Sequence, residues 1–77
     1  MRRAGEVVRT AQGVAVVRVP DEVYPDVGTT LVGENLEAVG RVVDVFGPVE
    51  RPDLAVSPAA GGRLVALVGR PVDARGE

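Results

Sequence analysis

The stretch Val39-Gly40-Arg41-Val42-Val43-Asp44-Val45-Phe46-Gly47-Pro48-Val49-Glu50-Arg51-Pro52 decides how this chain is read. Residues 39 to 46 form the strongest strand candidate, because valine's branched side chain suits a pleated surface. Gly47-Pro48 stops the strand, since proline removes a backbone donor and fixes one φ angle. On simple alternation, Val39, Arg41, Val43 and Val45 share one face, and Gly40, Val42, Asp44 and Phe46 share the other, so neither face is clearly polar. A strand of a closed sheet has only one inside. The surplus apolar surface requires a bulge that shifts the register, a loop packing back, or a bound protein.

The flanking sequence repeats the same grammar. Residues 3–11 and 14–19 are β-favouring runs separated by Gln12-Gly13, the pattern of a hairpin. Pro20 to Gly28 holds two prolines and several acidic breakers and reads as a surface loop. Thr29 to Val32 is a short strand. Gly33 to Ala38 has helix-favouring residues but is too short to nucleate a helix, so it reads as a turn. Asp53 to Ser57 alternates, with Leu54 and Val56 on one face. Arg63 to Val68 is apolar on both faces and reads as the last strand, closed by Gly69-Arg70-Pro71. The expected architecture is therefore all-β: six short antiparallel strands, in a chain too small for a two-sheet sandwich, curled into a small closed barrel that removes aggregation-prone edges. A single barrel domain is expected over 1–70, with 71–77 as a short flexible C-terminal tail. Glycines recur at strand starts (Gly5-Glu6-Val7-Val8, Gly40-Arg41-Val42-Val43, Gly62-Arg63-Leu64-Val65) and fit either barrel-corner bends or chance in a Gly/Val-rich chain.

Composition excludes more than it specifies. With 77 residues, Cys 0 and His 0, the chain offers no thiol nucleophile, histidine base, disulfide framework or Cys/His zinc site. Its 11 carboxylates would need a concave pocket to do acid–base or metal work, and so small a chain encloses little. The expectation is a protein that is not an enzyme and uses no cofactor, metal or small-molecule substrate. All nine basic residues are arginine, net charge is −2 and the pI is about 5.0, which disfavours a freestanding nucleic-acid binder. No apolar stretch approaches the ~18 residues of a membrane helix, and Met1-Arg2-Arg3 is not followed by a signal-peptide apolar region. A chain that is soluble and stays where it is made is expected.

Residues 39 to 52 closely resemble the signature of the Gar/Naf family, the small barrel subunit of H/ACA ribonucleoproteins. The shared elements are Gly40, Asp44, Phe46, Gly47, Pro48 and Pro52 at matching spacing, framed by Gly5-Glu6-Val7, Gly28-Thr29-Thr30-Leu31-Val32 and Glu34-Asn35-Leu36. The resemblance implies a six-stranded barrel like those of translation-factor second domains (reductase/isomerase/elongation-factor-like). It also implies a non-catalytic accessory subunit that binds the catalytic domain of a dyskerin-type pseudouridine synthase and assists rRNA pseudouridylation and turnover. Contact with the H/ACA guide RNA would be indirect, and the location cytoplasmic, of the archaeal type. Two departures stand out. Asp53 occupies a place where the family usually has an aromatic, and the Gly/Arg-rich or lysine-rich tails of many members are missing. The alternative is a stand-alone barrel acting in ribosome assembly or RNA binding, which would call for stacking aromatics; the chain offers only Tyr24 and Phe46.

The candidate partner-binding residues are Phe46, Gly47, Pro48, Val49, Arg51, Pro52, Leu54 and Arg41. Phe46 is either a core or barrel-mouth residue or an anchor on the synthase. Gly47 and Pro48 are turn formers, and if the turn is displayed, Pro48, Val49, Pro52 and Leu54 make a rigid apolar patch that loses little chain entropy on binding. Asp44 is expected to satisfy backbone donors rather than act as a base. Arg41 and Arg51 are solvated charges or rim contacts that steer association.

Overall fold

The computed structural model describes residues 2–20, 23–59 and 64–75. Six strands close into an antiparallel barrel in the order β1-β2-β5-β4-β3-β6: β1 Arg2–Ala11, β2 Val14–Arg18, β3 Thr30–Val32, β4 Ala38–Phe46, β5 Asp53–Pro58 and β6 Pro71–Ala74. The first hairpin is as the sequence suggests. Gln12 and Gly13 both take positive φ (52° and 84°), the two-residue turn whose twist matches that of the flanking strands.

The core is almost entirely valine and alanine, with Leu31 and Leu54 its largest fully buried side chains. Inward positions are set by bulges as much as by alternation. In β4 the register shifts between Val42 and Asp44. Val42 faces in, Val43 becomes the extra residue, Val45 turns back toward the core, and Asp44 and Phe46 go out. The bulge is thus one of the three outlets for the surplus apolar face. β1 has the same device: its register shifts between Val7 and Arg9, so Val7 is buried and Val8 is the extra residue. In both strands the bulged valine lies three residues after a glycine, Gly5 or Gly40. A Cβ on either would overlap a carbonyl oxygen of the adjoining strand, Arg18 for Gly5 and Ser57 for Gly40. These two glycines are places of close backbone approach; Gly62 lies outside the described residues.

The C-terminal third differs from the sequence reading. Leu64–Leu67 is a 3-10 turn, and the closing strand is Pro71–Ala74, within the stretch assigned to a flexible tail. A continuous apolar run has no period that separates a strand from a lid, and here Leu67 packs against the core cluster. After it, Gly69 N–H donates to the Val7 carbonyl at 2.7 Å and Val7 N–H to the Arg70 carbonyl at 3.0 Å, delivering the chain to β1. Pro71 is tolerated because it is the first residue of its strand. Val72 is buried, and β6 pairs with both β1 and β3 to close the barrel.

Arg3 and Asp73 face each other across that closure, with Nε donating to Oδ1 at 2.7 Å while the arginine side chain stays 55% exposed. Such an exposed pair stabilises little. Arg3→Ala is expected to cost less than about 1 kcal/mol, read as a fall in thermal midpoint of under about 8 °C.

Candidate protein-docking site

The segment after β4 is built as a stiff, displayed turn. Gly47 has φ +92°, a conformation that other residues resist, so the glycine is required where the chain leaves the strand. Arg51 N–H donates to the Pro48 carbonyl at 3.3 Å and closes a turn over residues 48–51. Val49 at its tip is 82% exposed, Phe46 at its base is 37% exposed, and Pro48, Glu50 and Arg51 are exposed with them. Phe46 therefore lies outside the core. Asp44 Oδ1 accepts from the Val45 N–H at 2.8 Å, the backbone-satisfying role expected of it.

Three of the candidates named from the sequence do not join this patch. Leu54 is fully buried, paired with Val17 and Val45 and lodged in the core. Pro52 is also buried, and its carbonyl accepts from Val19 N–H at 3.1 Å, which pins the root of the turn to the end of β2. The correction follows from alternation: Leu54 and Val56 share the inward face of β5, so a turn just before Leu54 cannot bring it to the surface. Arg41 is exposed but pairs with Thr30 and Ser57, five residues up β4 from Phe46. At the usual strand rise that is about 16 Å away. The patch that remains is Phe46, Gly47, Pro48, Val49 and Arg51.

The sequence reading missed Val43, which follows the inward-facing Val42 and is 46% exposed. It also missed a groove of about 410 Å³ on the outer wall, lined by Arg3, Arg18, Arg51, Glu6, Val8 and Pro20 among others. Arg18 Nε reaches Asp53 Oδ1 at 3.4 Å, so Asp53, standing where the resemblance leads one to expect an aromatic, forms a cross-strand ion pair. Among the described residues no group of three or more acidic side chains is placed to hold a metal ion. The arrangement offers apolar contact and charge steering.

The described residues thus form a closed six-stranded antiparallel barrel that displays the 46–51 turn on its surface. Among solved structures, the chain is similar to one described as the Gar1 domain of NAf1, with a TM-score of 0.71 and 14% sequence identity, over 96% of this chain and 81% of that one. The chain thus has the fold of a Gar1-type domain, as the resemblance at residues 39–52 implies. No protein-family model matches the chain, and no curated protein does.

Proposed function

We propose that this protein is a non-catalytic accessory subunit of an H/ACA ribonucleoprotein, docking on the catalytic domain of a dyskerin-type pseudouridine synthase through the Phe46–Arg51 turn and assisting substrate turnover. The observation that carries the reading is the Gar1-type fold over nearly the whole chain, with the family-like signature placed on β4 and its exposed turn. The turn has the properties of an anchor. Phe46 and Val49 supply apolar area, Gly47 and Pro48 limit the entropy lost on docking, and Arg51 stands at the rim.

The test is titration of the purified chain against the synthase from the same source. Micromolar or tighter association is expected. Val49→Asp should weaken it by about tenfold or more, the scale of a charge buried in an apolar contact. Because Val49 is 82% exposed, its unfolding midpoint should stay within about 0.5 kcal/mol of the unaltered chain. No association at micromolar concentration, or association indifferent to both Val49→Asp and Phe46→Ala, would remove the basis for this reading.

A further inference from the structure

On the outer wall, Arg3 of β1, Arg18 of β2 and Arg51 of the turn line the same groove of about 410 Å³. Two of them are held from behind. Arg3 Nε donates to Asp73 Oδ1 at 2.7 Å, and Arg18 Nε to Asp53 Oδ1 at 3.4 Å. The arginine side chains are 55% and 57% exposed, those of the aspartates only 21% and 14%, and neither aspartate lines the groove. A guanidinium carries five donors in a planar fork, so an acid on Nε fixes its direction and leaves the terminal amino groups for another anion. Arg51 forms no ion pair among the described residues. Glu6 is the one carboxylate among the groove's lining residues, against three guanidinium groups.

This concentration of positive charge, in a chain of net charge −2, suits an anion, and the rest of the lining decides which. Val8 and Pro71, both half-buried, and Pro20 give the groove an apolar part. Neither Tyr24 nor Phe46 lines it, so a nucleic-acid base finds no ring to stack on. Glu6 opposes an unbroken row of phosphates, and a pI of about 5.0 gives no long-range attraction for one. A peptide carries separate carboxylates with apolar side chains between them, which matches both parts of the lining. We propose that this groove binds a short acidic segment of another protein, with carboxylates on Arg3, Arg18 and Arg51 and apolar side chains against Val8, Pro20 and Pro71. Asp21 and Glu22, next to Pro20 in the sequence, lie outside the described residues and are a competing occupant that the test separates.

The test titrates the isotope-labelled full chain with an acetylated and amidated hexapeptide of four glutamates and two leucines, followed by amide chemical shifts. Saturable shifts at Arg3, Glu6, Val8, Arg18 and Arg51 are expected, with affinity falling several-fold as salt is raised. The same peptide with glutamine in place of glutamate, and a uridine decanucleotide, should leave these amides unmoved. Arg3→Ala/Arg51→Ala is expected to weaken the peptide about tenfold, and Arg51→Ala alone, which breaks no ion pair, about threefold. Arg9→Ala, which removes an exposed charge elsewhere on β1, should change it by less than about twofold. No saturable shift at millimolar peptide, shifts centred elsewhere on the barrel, or an equal loss from Arg9→Ala overturns the site. Tighter binding of the RNA than of the peptide overturns the choice of occupant. Peptide binding seen only in Asp21→Asn/Glu22→Gln would mean that the chain's own carboxylates fill the groove, and it overturns a foreign occupant too. Since no synthase is present, each of these outcomes leaves the function proposed above standing or falling on its own test.

Discussion

Truncating Leu54 to alanine is expected to lower the unfolding free energy by about 3 kcal/mol, within the range of roughly 2–5 kcal/mol seen for buried leucines. The site has little means of collapsing. Leu54 lies on β5, held by ladder hydrogen bonds to β2 on one side and β4 on the other, so the backbone cannot close in on a void. Its cross-strand partners, Val17 and Val45, are valines, too short and too stiff at χ1 to swing into the space. Domains of this size are stabilised by only about 4–12 kcal/mol, so the loss is a large fraction of the total. Urea denaturation with Val49→Ala as a surface control reads it directly. A Leu54→Ala protein of unchanged stability but weakened partner binding would return Leu54 to the surface patch and overturn the register of β5.

That contrast also shows where the sequence was legible. The hairpin at Gln12-Gly13 and the turn at Gly47-Pro48 were readable because each depends on local backbone chemistry. The inward direction of Leu54 was written in the alternation of residues 53–57, and linking it to the preceding turn by proximity in sequence overrode that signal. Residues 39–46 announced an excess of apolar surface. Which outlet absorbs it depends on how β4 pairs with β5, a long-range fact, and the bulge turns Asp44 outward and Val45 toward the core. The last strand was illegible for a similar reason. Leu64–Leu67 is the more apolar segment, yet the closing strand is the short Pro71–Ala74, whose placement is fixed by its pairing with β1 and β3.

The most destructive single substitution is expected at Gly40. Its backbone does not need glycine for its dihedral angles, since its φ is not positive, so the requirement is one of space. A Cβ there would overlap the Ser57 carbonyl oxygen and approach Val56 Cγ1 at 2.8 Å and the Ser57 carbonyl carbon at 3.0 Å. The carbonyl belongs to β5 and cannot rotate away like a side chain. Either β4 and β5 separate or the residue is not accommodated. Gly40→Ala is expected to cost about 3 kcal/mol, at or above the upper end for overpacking, and Gly40→Val more. Adding Val56→Ala relieves the side-chain contact and leaves the carbonyl in place, so the double variant should be no more stable than Gly40→Ala alone. Gly13 provides the opposite case. It has φ +84° but nothing within 4 Å of an added Cβ, so Gly13→Ala carries only a conformational penalty of about 1 kcal/mol. Urea titration of the three proteins separates the two kinds of glycine. A Gly40→Ala chain within about 0.5 kcal/mol of the unaltered one, the range of an ordinary surface change, would mean that β4 and β5 do not approach so closely. Because β4 leads into the Phe46–Arg51 turn and β5 leads out of it, loosening this pairing should also cost partner binding. That loss should track the unfolded fraction, unlike the loss from Val49→Asp, which leaves the barrel intact.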